Sequence, residues 1–316
     1  MPELSPSSVD LFADAGPAAA GPAGVIEVIA ADSELGPSAG RRYRKKGKGV
    51  AFWVASAWIA ALTFCAVFAD YLPFVRSYSK IYAGHFHESP NATFWFGTDK
   101  IGHDIFTRTI YGARLSLGIA GASLVIGLLF GGIFGLMAGY YRRATDRVIS
   151  TAVEIMLAFP ALVLLLAITA FLKPSARTVT LALAILSIAP LTRIVRANTL
   201  VYTQREFVLA ARSLGAKDRR ILFREVLPNI VPTMLAFALT VLAVLIVAEG
   251  ALAFLGQSVP PPVPTWGKLI DDGRQDLGVY WWISLMPALV MFLTILAFNI
   301  MGDVLARRFD IRESQA

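Results

Sequence analysis

Charge and cysteine are both scarce in this sequence. Only 16% of its 316 residues are charged and 56% are hydrophobic, whereas about a quarter of the residues in a soluble domain are charged. The single cysteine, Cys65, lies within an apolar stretch, which excludes a disulfide framework and a thiolate metal cluster. The composition therefore indicates a membrane protein. Its net charge of +7 is explained by basic loops at an anionic lipid surface, without nucleic acid as a partner.

Patterns for binding nucleotides, metals or coupling ions are missing as well. No Gly-x-x-x-x-Gly-Lys-Ser/Thr phosphate loop occurs. His85, His87 and His103 fall in one hydrophilic loop, and imidazoles without further ligands make a weak metal site. Carriers driven by protons or sodium place ionisable groups near the middle of the membrane, and none is evident there. We therefore expect neither a cofactor, nor a metal, nor enzymatic activity in this chain, and an energy source outside it.

Six apolar stretches approach the roughly 20 residues that a helix needs to cross a membrane. They cover residues 50–70, 114–141, 148–172, 178–199, 229–255 and 283–303. The fourth is the least regular, because its uncharged run stops at Arg193, whose charge must reach the interface. These stretches predict an all-α membrane protein with six transmembrane helices.

The distribution of basic residues predicts the orientation of these helices. With the N-terminus in the cytoplasm, the inner segments hold 6 Lys and Arg before the first span, 3 between the second and third, 8 from Arg193 to Arg224, and 3 after the sixth. Those 20 of the 29 basic residues leave 9 outside, in agreement with the positive-inside rule. Both termini are therefore expected in the cytoplasm.

Residues 1–49 differ in composition from the rest. Ala, Gly, Pro and Ser dominate up to Gly40, which predicts a disordered cytoplasmic tail, and a basic run at 41–48 precedes the first span. A signal peptide cleaved near Ala69 is the competing interpretation. It is disfavoured because the apolar stretch exceeds the ~7–15 residues of such a peptide and the leader before it is too long.

Glycine recurs at every fourth position of the second stretch. The four residues are Gly127, Gly131, Gly135 and Gly139. This spacing places them on one helix face, where a second backbone can approach closely. Packing within the helix bundle is favoured over a dedicated dimer interface.

Residues 205–228 form a basic, polar segment between two apolar stretches. Residues 205–215 favour a helix that ends at Gly215, a natural C-cap residue, and Pro228 suits the first turn of the next helix. Ala210 and Ala211 leave room for another surface to come close. Two interpretations stay open from the residues alone: a docking helix for a partner protein, or a juxtamembrane helix that binds anionic lipid.

The spacing in this segment resembles the cytoplasmic loop by which permeases of ATP-binding-cassette (ABC) importers dock on their ATPase. That loop reads Glu-Ala-Ala, three residues, Gly, nine residues, Ile-x-Leu-Pro; the matching residues here are Ala210, Ala211, Gly215, Leu227 and Pro228. Leu209 replaces the Glu and Glu225 the Ile, while Arg205 and Glu206 lie one turn earlier. The resemblance implies that these residues couple the chain to an ATPase, and it leaves open which acid makes the contact.

Two further segments are similar to the permeases that import dipeptides, oligopeptides and nickel. Residues 96–117, which begin Phe-Gly-Thr-Asp, resemble the signature before the second span, with His103 where arginine is usual. Residues 254–267 resemble the outer loop after the fifth span. The resemblance covers roughly residues 50–312, and it is closest to the second of the two permease subunits of peptide importers.

The resemblance implies a type I importer permease fold in a bacterial inner membrane. Residues 1–49 would form the tail, 50–95 the first helix and outer loop, and 96–312 the permease domain. The implied partners are a second permease, two ATPases that bind ATP and Mg, an extracytoplasmic binding protein and membrane lipid. Di- or oligopeptides are the expected cargo. The alternatives are nickel or another small solute, a stand-alone secondary transporter, and a membrane scaffold that transports nothing.

Glu249 is the acidic residue nearest the outer end of the fifth apolar stretch. A buried carboxylate is costly in a membrane, so a partner is expected, and Arg114 lies near the same outer level. Both are candidates for a pathway or gate. A carboxylate at the interface that reaches water is the favoured alternative.

Overall fold

The computed structural model describes residues 48–313, and regular secondary structure in that range is helical apart from two isolated β-bridges in the first loop. In chain order the helices are α1 (Lys48–Val67), α2 (Ile105–Tyr141), α3 (Arg143–Ala158), α4 (Ala161–Ala170), α5 (Ala176–Tyr202), α6 (Glu206–Ser213), α7 (Asp218–Arg220), α8 (Leu227–Phe254), α9 (Trp266–Gly273) and α10 (Trp282–Glu313). A π-helical turn, Ile221–Val226, joins α7 to α8, and a 3-10 turn, Arg274–Asp276, follows α9. The predicted tail, residues 1–49, lies outside the described residues except for its last two positions.

Five helices are long and apolar enough to cross a membrane: α1, α2, α5, α8 and α10. The remaining predicted span, 148–172, was wrong as one continuous helix, because α3 and α4 meet at a bend of 92°. Phe159, before Pro160, has extended backbone angles (φ −81°, ψ 135°), since a proline ring disfavours helical backbone at the preceding residue. The described part of the chain thus holds five continuous spans, or six if the bent pair is one span.

The second span begins at Ile105, well before the predicted residue 114. Asp104 caps α2, because its carboxylate accepts a hydrogen bond from the Phe106 backbone N at 3.1 Å. The first turns of α2 carry Arg108 and Arg114. These charges interrupt the apolar pattern, so the sequence placed the start of the span too late. With 37 residues, α2 is about 55 Å long and exceeds the ~30 Å hydrocarbon layer.

The helices differ in how deeply they are packed. In the most apolar 18-residue stretch of each helix, 50% is buried in α5 and 17% in α1. α5 lies along α2, while α1 packs against α2 and α10, and α8 packs against α5 and α10. The core therefore centres on α2, α5 and α8, and α1 lies at its periphery.

Candidate functional site

Helix α6 sits in the polar segment and ends as the sequence predicts. The backbone N–H of Gly215 donates to the Arg212 carbonyl at 3.0 Å, and that of Ala216 donates to the Ala211 carbonyl at 3.1 Å. These two bonds form a Schellman motif, which requires a left-handed residue at its centre. Gly215 has φ +78° and supplies it. The predicted helix termination at Gly215 is therefore confirmed.

One side of α6 is anchored to the rest of the molecule. Val208 is fully buried and packs in a cluster with residues of the turn that follows and of the long helices, namely Leu136, Val195, Ile221, Leu222, Val226 and Ile230. The Tyr140 hydroxyl, at the end of α2, donates to Asp218 Oδ1 at 2.6 Å. The Arg212 guanidinium lies 5.7 Å from the centre of the Tyr140 ring. Helix α6 is thus held against the ends of α2, α5 and α8.

The other side of α6 is open. Leu209 is 48% exposed and Leu214 is 88% exposed, and Glu206 and Ala210 beside them are exposed as well. Leu209, which replaces the glutamate of the family pattern, lies three residues after Glu206 and therefore on the same helix face. The structure thus presents a small, partly apolar surface with one acid at its edge.

The remaining residues of the pattern lie at the start of the next long helix. Leu227 is half-buried and begins α8, and Pro228 follows in its first turn, where a missing backbone N–H costs little. Arg205 precedes α6 at the N-cap position with extended backbone angles (φ −70°, ψ 148°). Ala211 of α6 and Leu227 both pack against the buried cluster that contains Val208, so the structure brings these predicted residues from the two ends of the segment to one cluster.

The four glycines of α2 all face α5. A Cβ added to Gly135 would lie 2.6 Å from Val195 Cβ, and one added to Gly139 would lie 2.5 Å from Thr199 Cβ. Gly127 and Gly131 oppose Ser187 and Leu191 in the same way. The structure places this glycine face in an intramolecular contact between two helices of the bundle, which are thereby allowed to approach closely.

Glu249 is fully buried near the C-terminal end of α8, which the charge distribution predicts to be the outer end. The Ser116 hydroxyl of α2 donates to its Oε2 at 3.1 Å, and the Ser258 hydroxyl donates to its Oε1 at 2.9 Å. Ser116 Oγ in turn accepts a hydrogen bond from the Trp266 backbone N at 3.1 Å. We call these four residues the outer clasp. It joins α2, α8 and α9 through buried polar contacts.

The expected pairing of Glu249 with Arg114 is wrong, and so is the interfacial carboxylate that reaches water. Arg114 NH1 instead lies 2.8 Å from Asp70 Oδ2, and the Tyr111 hydroxyl donates to Asp70 Oδ1 at 2.6 Å. Arg114 lies two residues before Ser116 on α2, so it points to a different side of the helix. The hydrogen bond from Tyr111, and then that from Arg114, lower the pKa of the Asp70 carboxyl. These contacts tie the end of α1 to α2.

Trp266 completes the outer clasp. Its side chain is fully buried, and its Nε1 donates to the Thr109 carbonyl of α2 at 3.0 Å. The next residue, Gly267, lies against Gly250 of α8 so closely that an added Cβ would be 2.6 Å from the Gly250 Cα. Sequence reasoning missed Asp70, Ser116, Ser258 and Trp266 as partners. Ser116, Ser258 and Trp266 fall within the two segments that resemble the family, and this is the signal that could have pointed to them.

The histidines of the first loop contact neighbouring side chains. His103 Nδ1 lies 2.8 Å from both Asp99 Oδ2 and Arg108 NH1. The His87 ring stacks on Tyr280, with their centres 4.0 Å apart. Within residues 48–313 no group of three or more His, Cys, Asp or Glu side chains is placed to hold a metal ion.

Comparison with known proteins identifies the family of this chain. The profile of the family described as "binding-protein-dependent transport system inner membrane component" matches residues 131–311. The glutathione transport system permease protein GsiD of Pectobacterium atrosepticum is 35% identical over 270 residues, which cover 85% of this chain and 89% of that protein. The dipeptide transport system permease protein DppC of Alkalihalophilus pseudofirmus is 38% identical over 252 residues, which cover 80% and 83%.

Two solved structures share the fold at low identity. A chain of the MetNI methionine ABC transporter in an inward-facing form has a TM-score of 0.55 and 17% identity, covering 65% of this chain and 97% of its own. A chain of an amino acid ABC transporter crystallised with histidines has a TM-score of 0.51 and 22% identity, covering 64% and 94%. The predicted type I importer permease fold is confirmed. By its profile match and its relatives, the chain belongs to the binding-protein-dependent transport system inner membrane components, as a permease subunit of an ABC importer.

Proposed function

We propose that this permease imports di- or oligopeptides, in a complex with a second permease, two ATPases and an extracytoplasmic binding protein. The names of the relatives support the cargo, since one is a dipeptide permease and the other a permease for glutathione, a tripeptide. The functional unit is residues 96–312, and both termini face the cytoplasm. The charge distribution supports this orientation, with 20 of 29 basic residues on the inner side.

The open side of α6 is the surface that contacts the ATPase. The single observation that carries this proposal is that α6 is anchored through buried Val208 while Leu209 and Ala210 remain exposed on its other side. A helix that is fixed on one side and open on the other transmits the movement of a partner to the helices that anchor it. Here those helices are α2, α5 and α8. ATP and Mg are bound by the ATPases, and this chain makes or breaks no bond.

The outer clasp keeps the extramembrane helix α9 against the outer ends of α2 and α8. Three hydrogen bonds join Glu249, Ser116, Ser258 and Trp266 across these elements. The clasp is the part of the outer gate that this chain contributes. Glu249 acts there as a buried acceptor, and Arg114 acts apart from it, through Asp70.

The test is uptake of labelled dipeptides and tripeptides by membranes that contain the assembled transporter, together with its ATPase activity. Ala210→Trp places a large side chain on the exposed side of α6 and is expected to abolish uptake while the permease remains inserted. Ala167→Trp, on an exposed position of α4, is the matched control and is expected to keep uptake. Normal uptake by Ala210→Trp contradicts the docking role, and uptake of nickel without peptides contradicts the cargo.

A further inference from the structure

An apolar groove runs between the first half of α1 and the middle of α10. It has a volume of about 460 Å³, and the residues that line it are Val50, Ala51, Val54, Ala55, Trp58, Leu293, Leu296, Ala297 and Ile300. The one polar group in the lining side chains, the indole N–H of Trp58, donates to Thr294 Oγ1 at 3.2 Å. The walls of the groove therefore offer only apolar surface to whatever fills it.

No described residue covers this groove. Val50 is 70% exposed and Val54 is 64% exposed, although both lie on a helix that crosses the membrane. An occupant of the groove must itself be apolar, because the side chains of the walls offer no free hydrogen-bond donor or acceptor to a polar group.

A pair of arginines lies next to the α1 wall of the groove. Arg307 and Arg308 are exposed in the last turns of α10, and the Arg308 guanidinium lies 5.8 Å from the centre of the Phe52 ring on α1. The other wall of the groove adds no negative charge, because α1 contains no acidic residue. On α10, Asp303 lies four residues before Arg307 and Asp310 lies two residues after Arg308. The positive charge next to the groove is therefore that of the exposed arginine pair, which Arg308 brings to Phe52.

We propose that the groove holds an acyl chain of an anionic phospholipid, whose headgroup phosphate is bound by Arg307 and Arg308. Apolar walls suit the chain, and a guanidinium pair suits a phosphate through charge-assisted hydrogen bonds. The inference rests on the proposed orientation, which places this end of α1 and α10 at the cytoplasmic leaflet, where anionic lipids attract clusters of basic residues.

The test measures lipid retained by the purified, assembled transporter after delipidation and addition of either phosphatidylglycerol or phosphatidylcholine, with bound lipid counted by native mass spectrometry. The unsubstituted complex is expected to retain phosphatidylglycerol in preference. Ala51→Trp fills the groove from an exposed position and is expected to remove that lipid. Ala60→Trp, exposed on the opposite face of the same helix, is the matched control and is expected to retain it.

The double substitution Arg307→Gln, Arg308→Gln tests the headgroup. Each basic residue contributes to binding at an anionic surface, so retention of phosphatidylglycerol is expected to fall by about thirtyfold, to the level of phosphatidylcholine. Equal retention of the two lipids by the unsubstituted complex overturns the proposal, as does retention that Ala51→Trp leaves unchanged.

A second permease seated in the groove is the competing occupant. In that case a photo-cross-linker attached to a cysteine introduced by Val54→Cys reacts with the second permease and the complex retains no lipid, which also overturns the proposal. Retention is measured without transport. If the unsubstituted complex takes up peptides but retains no phosphatidylglycerol in preference, this inference alone is refuted. If it retains that lipid but takes up no peptides, the proposed function alone is refuted.

Discussion

The two ends of this permease, called inner and outer after the proposed orientation, use their polar residues in opposite ways. At the inner end, α6 is anchored through Val208, yet it leaves Glu206, Leu209 and Ala210 uncovered. At the outer end, Glu249 is fully buried and its carboxylate is met by hydroxyl groups of the same chain. In the proposed function a partner covers the inner surface, whereas the polar groups of the outer clasp are paired within the chain. Substitutions should therefore affect stability at the outer end and coupling at the inner end.

The largest loss of stability is expected at the centre of the outer clasp. Trp266→Ala removes a fully buried aromatic side chain and its hydrogen bond to Thr109, which should cost about 3–5 kcal/mol of stability. Thermal unfolding of the purified complex measures the effect. Trp281→Ala, at a side chain that is 45% exposed, is the control. Equal melting temperatures for the two variants would contradict the self-contained outer end.

A smaller loss is expected when the acceptor of the clasp is removed. Glu249→Ala leaves the hydroxyls of Ser116 and Ser258 without their buried acceptor and should cost about 1–3 kcal/mol. Glu249→Gln keeps an oxygen in place and should recover part of that stability. The same thermal unfolding measurement compares them. If Gln is no better than Ala, the clasp depends on the charge of Glu249 and our account of it as an acceptor fails.

At the inner end the effect on stability should be modest and the effect on transport large. Gly215→Leu forces a side chain into a left-handed conformation (φ +78°), which costs roughly 1–2 kcal/mol and disturbs the end of α6. We expect an inserted permease with little peptide uptake. Gly215→Asn should restore uptake in part, because asparagine tolerates this conformation. Gly278→Ala, at an exposed glycine with open space around it, should behave as the unsubstituted chain. Full uptake by the leucine variant would refute the role of this turn.

The smallest effect is expected at the exposed contact between α1 and α2. Tyr111 and Arg114 lower the pKa of Asp70, so the folded state favours the charged carboxylate. The resulting stabilisation is present above the ordinary pKa of an aspartate, about 3.8, and is lost as the pH falls through the lowered value. Asp70→Asn should therefore lower the melting temperature slightly at pH 7. In strong acid the difference in melting temperature between this variant and the unsubstituted chain should become smaller. A gap that widens in acid would show that another group titrates.

Local patterns were predictable, and contacts between distant residues were not. The end of α6 follows from Gly215 and its neighbours, and the glycine face of α2 follows from its spacing. The pairing of Glu249 with Ser116 joins residues 133 positions apart, and nothing in the spacing of either segment signals it. Arg114, chosen for its charge, points instead to Asp70. A buried carboxylate satisfied by hydroxyl groups has no charge partner for sequence reasoning to find.

The prolines illustrate the same limit. Pro190, Pro232 and Pro287 lie inside α5, α8 and α10, which continue through them, whereas Pro160 separates α3 from α4. Neighbouring helices and side chains can satisfy the backbone groups that a proline frees within a membrane bundle. Whether a proline bends or breaks a span is thus decided by its surroundings, which are not apparent from the proline alone.

The glycine face of α2 has a mechanical consequence. Where backbones touch directly, the layer of flexible side chains that lets packed helices rotate past one another is missing. We therefore expect α2 and α5 to move as one rigid unit, with the polar loop at one end and Ser116 near the other. A force applied at the polar loop would then displace the Ser116 end of the pair, with little of the movement absorbed along the way.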